Sequence, residues 1–338
     1  MQARNQHDSA VPEGASADAF AGHRGYQRLF RAQALTLGVF LPLRRFAGAM
    51  EDLAGMAGWV EQIDRAGFGA VWLRDIPLWD PEFGDAGQVF DPFVYLAYLA
   101  ARTRDVALAT GSAIFSLRHP IDLAKSAASI DQLSQGRLIL GAAAGDRPRE
   151  FPAYGVDPGQ RPARYAQALA DVRHLLSAES MGLDSPLGRF RQARLLPKPW
   201  AARIPILTTG HAGQSLSWLG RHADGWLTYP GRTDDDDGPR QLGARLRAWR
   251  DTIPDGGFRP HVTNEWLDLS EDPAHPRQAL QGGFVLRTGR HGLIELLQAW
   301  REAGVNHAAL GIQYGRRPPG EVLQELAEEV LPEFASHS

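Results

Sequence analysis

From residue 35 onward, short aliphatic and β-branched runs alternate with longer stretches in which apolar positions recur every three to four residues. The first pattern belongs to buried strands and the second to amphipathic helices. The runs predict strands over 35–41, 70–73, 106–115, 137–144, 204–208, 225–229, 261–267 and 305–312. The periodic stretches predict helices over 50–66, 91–102, 121–133, 162–176, 214–222, 239–251 and 290–303, with a last one over 321–335. Asp91-Pro92 has the chemistry of a helix start, and Gly67, Gly136 and Gly304 sit where helices should stop. A strand followed by a helix, repeated eight times, is the count of an α/β (β/α)8 TIM barrel. An open doubly wound sheet would alternate in the same way, but it carries a glycine-rich turn after its first strand. Here that turn reads Phe40-Leu41-Pro42-Leu43. The proline-bearing, weakly periodic stretch 177–203 reads as an insertion between helix 4 and strand 5, lying over one barrel end. The barrel domain is expected over 34–338, preceded by a flexible N-terminal tail over 1–33.

Composition narrows the chemistry. The chain of 338 residues carries a net charge of −3 with acids and bases interspersed, so no basic face points to nucleic acid or an anionic membrane. It contains no cysteine, which removes disulfides, thiolate metal sites and cysteine nucleophiles. No run approaches the roughly 20 apolar residues of a membrane span, and residues 1–22 lack the apolar region of a signal peptide. A cytoplasmic protein is expected. Four consecutive aspartates, Asp234 to Asp237, read as a solvated loop.

In such a barrel the site is built where strands end at their C-terminal side. Thr209-Gly210-His211-Ala212-Gly213 follows a strand and leads into a helix, which suits a phosphate, although an ordinary glycine-rich turn would look the same. Ala144-Gly145-Asp146-Arg147-Pro148-Arg149 ends another strand in small residues and arginines. It reads equally as a second anion site or as surface ion pairs. Gly111 and Ser112 make the third strand too small to serve packing alone, and glycine there suggests a bulge or the close approach of a flat ligand. Asp75 and His119 are the candidate catalytic groups; an ion pair with Arg74 or Arg118 and a helix cap are their structural alternatives. No serine-histidine-aspartate order, carboxylate pair or metal-spaced cluster stands out at the strand ends. Anion sites and flat surfaces with few catalysts suggest that a cofactor does the chemistry.

Arg118-His119-Pro120, then Ala124-Lys125, Ser129-Ile130-Asp131-Gln132-Leu133-Ser134 and Gly136-Arg137-Leu138 together resemble the luciferase-like monooxygenase family. The strings RDIPLWDPEFGDAGQVFDPFVYL (74–96) and GDRPREFPAYG (145–155) are similar to a narrower luciferase-type oxidoreductase subgroup. The resemblance implies a TIM barrel, usually dimeric, that binds FMN or a deazaflavin at its C-terminal mouth. It implies a non-prolyl cis peptide at Gly111–Ser112 beneath the flavin ring. It also implies a flavin-phosphate loop at 209–215 and a second part of the flavin site at Ala144 and Gly145. The chain departs from luciferase itself: Ala144 stands where luciferase has a phosphate-gripping arginine, and Ile76 where it has an essential histidine. Arg147 is the expected substitute for the lost charge.

The function expected from this resemblance is an FMN-dependent monooxygenase acting on a small organic substrate with O2. Reduced flavin would come from a separate NAD(P)H flavin reductase, since no nicotinamide-binding domain is visible. Trp79, Phe83, Phe115, Tyr229 and Trp266 are expected to wall the substrate pocket, with stretches 177–203 and 79–88 as lids. A homodimer is expected, with no metal, nucleic acid or membrane partner. The alternatives are a deazaflavin-dependent dehydrogenase, a flavin-binding barrel without turnover, and, more remotely, a metal-dependent hydrolase.

Overall fold

The computed structural model describes residues 11–43, 53–83, 90–254 and 256–334. Strands β1 (Thr36–Leu41), β2 (Ala70–Leu73), β3 (Ala107–Ile114) and β4 (Leu138–Ala143) form the first half of the sheet. A hairpin of β5 (Gly182–Ser185) and β6 (Gly188–Arg191) comes next, then β7 (Ile206–Thr209), β8 (Gly225–Thr228), β9 (His261–Leu269), β10 (Gln278–Leu280), β11 (Val285–Thr288) and β12 (His307–Gly311). The helices are α1 (Arg24–Leu29), α2 (Leu53–Ala66), α3 (Pro92–Ala100), α4 (Pro120–Ser134), α5 (Glu150–Ala153), α6 (Arg161–Leu176), α7 (Leu216–His222), α8 (Asp237–Arg250), α9 (Arg290–Ala303) and α10 (Pro319–Glu325). The parallel order β1-β2-β3-β4-β7-β8-β9-β12 closes because β12 pairs with β1, Thr36 opposite His307, which makes the expected (β/α)8 barrel. The start of the helix predicted over 50–66, residues 50–52, lies outside the described residues.

Alternation on each strand sorts side chains between two cores. Leu37, Val39 and Leu41 of β1 pack outward beneath the helices, while Phe40 joins Trp72, Ala109, Ile139, Leu207, Val262 and Trp266 inside the barrel. Three glycines give these rings their space. A Cβ at Gly38 would come within 2.5 Å of the His307 ring, one at Gly111 within 2.5 Å of Phe40, and one at Gly311 within 2.2 Å of Trp266.

One polar chain crosses this interior. The Trp72 indole N–H donates to His307 Nε2 at 2.9 Å, so Nδ1 carries the proton and meets Thr36 Oγ1 at 2.7 Å, which donates to the Leu29 carbonyl. Burial pushes the His307 pKa down to about 3. Its neutral form therefore adds stability above about pH 6.5 that is lost as pH falls towards 3. Trp72→Phe strands a buried acceptor and should cost about 2 kcal/mol, read as a lower midpoint in urea unfolding; an unchanged midpoint would discount the chain.

The tail expected over 1–33 is corrected for residues 11–33, which are built into the fold; residues 1–10 lie outside the described ones. Phe20, Tyr26, Leu29 and Phe30 are buried against the barrel interior, each worth about 1.5–3 kcal/mol of apolar burial. Ala15 N–H donates to Asp224, Arg173 donates to the Pro12 carbonyl, and Arg259 to that of Gly14. Polar composition hid a plug closing the N-terminal end of the barrel.

The insertion falls between α6 and β7, as predicted, but lies along the barrel's flank. Trp200 N–H donates to Asp131 on α4, Gln132 donates to the Lys198 carbonyl, and Lys198 donates to the Leu175 and Ser177 carbonyls. A second departure is the length of β9. Its first part pairs with β12, while Leu267–Leu269 pair with β11, and β10 runs antiparallel to β11. This small hairpin overhangs the C-terminal mouth.

Candidate active site

The C-terminal mouth is a cleft of about 630 Å³. β3 supplies its flattest wall. The Gly111–Ser112 peptide is cis, as the resemblance implied, and the register with β4 shifts between Thr110 and Ala113. The Ser112 and Thr209 hydroxyls bond across the cleft floor, joining β3 to β7. The shift also inverts side-chain parity: Ala107 and Ala109 face inward before it, whereas after it Ile114 faces the cleft and Ala113 and Phe115 face the helices.

The loop after β7 forms the second wall. Gly210 (φ 57°), Ala212 (φ 49°) and Gly213 (φ 75°) are all left-handed, so the loop curls; the Gly210 N–H donates to the Leu227 carbonyl at 2.7 Å and the Gln214 N–H to the His211 carbonyl at 2.8 Å. Trp226 holds it from outside by donating to the Gly210 carbonyl at 2.7 Å, which directs the next N–H, that of His211, the opposite way. The His211 ring meets Trp226 edge-on at 5.7 Å. Ser215 caps the Trp218 N–H, so α7 begins beyond the cleft, and the loop faces it instead of the helix end. Gly213 abuts Pro162, where a Cβ would lie 2.6 Å from the ring, and this brings Arg161 at the start of α6 to the cleft. Arg161 donates to the Gly145 carbonyl at 3.1 Å.

All the residues predicted for cofactor binding, Gly111, Ser112, Ala144, Gly145, Arg147, Thr209, Gly210, His211, Ala212 and Gly213, line this one cleft. Phe83, Tyr229, Trp266, Asp75 and Ile76 line it too. Three predicted residues do not. Phe115 is fully buried against Tyr165, 6.1 Å between rings, because the bulge turned it outward. Trp79 is 57% exposed outside the cleft. His119 serves as N-cap of α4, its Nδ1 accepting from Ile121 N–H at 3.2 Å. Sequence reasoning missed Arg161, Gln281 and Phe284. The last two come from the unforeseen hairpin, and the Phe284 ring packs tilted against Trp266 at 5.9 Å and edge-on to Tyr314 at 5.5 Å. Of the expected lids, stretch 177–203 is on the flank; of 79–88, Phe83 lines the cleft, Trp79 does not, and 84–88 lie outside the described residues.

Asp75 has both oxygens engaged. Oδ1 accepts from Arg118 at 2.7 Å, and Oδ2 accepts from Arg118 at 2.7 Å and Ile114 N–H at 3.0 Å. Burial alone would lower the Arg118 pKa, but Asp75 and Asp91 raise it. This is a strut under the β3 bulge, the structural alternative for Asp75. Arg149 likewise makes surface ion pairs, with Asp80 and Glu82. Arg147 is buried, with its guanidinium 4.3 Å from the Phe83 ring centre and 3.9 Å from Glu150. Burial pushes Glu150 up to about 7 against the pull of Arg147. A carboxyl raised in the folded state adds stability that is complete below about pH 4.5 and lost as pH rises towards 7. Glu150→Gln should flatten that slope, so its melting temperature gains on wild type between pH 5 and pH 8; parallel curves would contradict the assignment.

Among the described residues no group of three or more His, Asp or Glu could hold a metal ion, and no helix is long and apolar enough to cross a membrane. Fold and cleft define a (β/α)8 barrel whose mouth combines a flat small-residue wall with a curled, glycine-bearing loop. The luciferase-like monooxygenase model matches residues 35–259, and the chain belongs to that family. It is 35% identical over 184 residues to an uncharacterized protein of Mycobacterium tuberculosis, covering 52% of this chain and 65% of that one. It is 29% identical over 168 residues to the F420-dependent hydroxymycolic acid dehydrogenase of the same organism, covering 48% and 46%. The matched stretch thus spans less than two thirds of either relative. A monooxygenase from Streptomyces bottropensis has the same fold, with a TM-score of 0.72 at 22% identity over 89% of this chain and 100% of that one.

Proposed function

We propose that this protein is an FMN-dependent monooxygenase that oxidises a small organic substrate, with reduced flavin supplied by a separate NAD(P)H-dependent reductase. One observation carries the reading: the bulged Gly111–Ser112 wall, the small residues Ala143 to Gly145 and the curled loop 209–213 enclose a single cleft. The residues suit the group. Gly210 has open space where a side chain would be, the loop offers backbone N–H donors, and Arg161 stands beside it with a charge matched to a phosphate. Bound flavin would supply the redox chemistry of the reaction. The chain's own part is to grip the phosphate with residues 209–213 and Arg161, and to give the ring a flat seat on Gly111, Ser112 and Ala143. Asp75 and Arg118 keep the bulge in place, and Trp266, Phe284 and Tyr229 keep water from the opposite side. A homodimer belongs to the same reading.

A deazaflavin-dependent dehydrogenase is the second reading, favoured by the similarity to an F420-dependent dehydrogenase. Titrating FMN and a deazaflavin separately into the purified protein, with absorbance and mass of the retained ligand, separates the two. Saturable FMN binding and oxygen consumption on addition of a flavin reductase are the expected results. Binding of deazaflavin alone would move the function to hydride transfer, and binding of neither would overturn both readings.

A further inference from the structure

A second cavity, of about 390 Å³, lies at the end of the barrel opposite the cleft, where the N-terminal plug, the end of α6 and the start of β7 meet. Pro12, Arg173, Leu176, Arg203 and Ile206 are among its walls. Two guanidiniums share one carboxylate there. Arg173, with its side chain 6% exposed, pairs with Asp224 Oδ1 at 2.8 Å, and Arg203, 37% exposed, reaches the same oxygen only at 3.9 Å. The backbone draws on that carboxylate as well: Oδ1 accepts from Ala15 N–H at 2.7 Å and Oδ2 from Ile206 N–H at 2.9 Å. Arg173 donates through Nη1 to the Pro12 carbonyl, while its buried Nε has no hydrogen-bond partner. A buried donor without an acceptor is costly. Glu13 and Glu179, the acids nearest along the chain, are exposed and do not line the cavity. Lys198 donates to the Leu175 and Ser177 carbonyls, so the negative end of α6 is covered.

We infer that this cavity binds a small oxyanion, a phosphate or carboxylate group bridging Arg173 and Arg203. Guanidinium N–H donors match the oxygens of either group, and a bound anion supplies the acceptor that Nε lacks while balancing the second cation. The volume leaves room for a body beyond the charged group, as in a small phosphate ester or a dicarboxylate. Pro12 belongs to the plug and Ile206 to the barrel, so an occupant joins the two. The site is at the far end of the barrel from the cleft, and the inference stands whether or not a flavin binds.

Calorimetric titration of inorganic phosphate and of succinate into the whole protein, at constant ionic strength, tests it. At least one probe should bind saturably, and the tighter of the two names the favoured group. Arg203→Gln should weaken that binding about ten-fold or more, and Arg203→Lys, which keeps the charge but loses the fork, should lose less. Arg203 is partly exposed, so both variants should fold, and FMN affinity should not change in either. Gly210→Asp separates this site from the cleft loop, because it should leave binding of the probe at the base intact. Binding of neither probe, affinities unmoved by Arg203→Gln, or binding that Gly210→Asp abolishes would each overturn the inference.

Discussion

Arg137→Ala is expected to lower the melting temperature by roughly 10 °C. The guanidinium is buried and donates to the Ser134, Val106, Ala100 and Thr103 carbonyls at 2.9–3.1 Å and to the Thr103 hydroxyl at 2.8 Å. These oxygens belong to the end of α3, the approach to β3 and the end of α4, so one side chain ties three segments. Burial lowers its pKa to about 10, which still leaves it charged at neutral pH. Truncation strands several buried acceptors and opens a cavity, together worth about 4 kcal/mol. Arg137→Lys should recover less than half of this, since an ammonium cannot span the fork. Differential scanning calorimetry reads both, and a fall of only one or two degrees would refute the account.

The largest effect on binding is expected from Gly210→Asp, which should weaken FMN about 100-fold. A Cβ there meets nothing within 4 Å, and aspartate tolerates the left-handed backbone that φ 57° demands, so the fold should survive. What changes is charge. A carboxylate some 4–5 Å from a phosphate costs roughly 3 kcal/mol at the effective dielectric of a partly open site. Gly210→Asn makes the same demand on the backbone without the charge and should stay within a few-fold of wild type. Equal losses in both variants would mean that geometry, not a bound phosphate, sets the affinity. Unchanged affinity in both would remove loop 209–213 from the cofactor site.

The barrel was legible because strand and helix periods differ and alternate cleanly from residue 35 to the last helix. The cofactor wall was legible because small residues at strand ends are conspicuous among aliphatic ones. Failures have local causes. Phe115 stands at the end of the predicted third strand, where cleft residues are expected, and the register shift at Thr110–Ala113 turns it outward. β10 spans only Gln278–Leu280, too short for an alternation to register, so Gln281 and Phe284 could not be placed. Arg161 opens a helix far in sequence from any strand end, and only its bond to the Gly145 carbonyl shows where it belongs. The motif from Arg118 to Leu138 that carried the family resemblance turns out to be largely scaffold. Asp131 meets His23 at 3.2 Å and accepts from Trp200, and Ser134 accepts from Arg137 N–H.

Closure of the barrel through β1 and β12 pairs strands that stand near opposite ends of the chain, Val39 lying opposite Leu310. During synthesis the free edge of β1 therefore waits until residue 311 has cleared the ribosome. In that interval the N-terminal plug has an unclosed cylinder to sit in, and the β1 and β9 edges are open to pairing with strands of other nascent chains. A ribosome-bound intermediate stalled before β12 should bind chaperones, and one stalled after the last helix should release them.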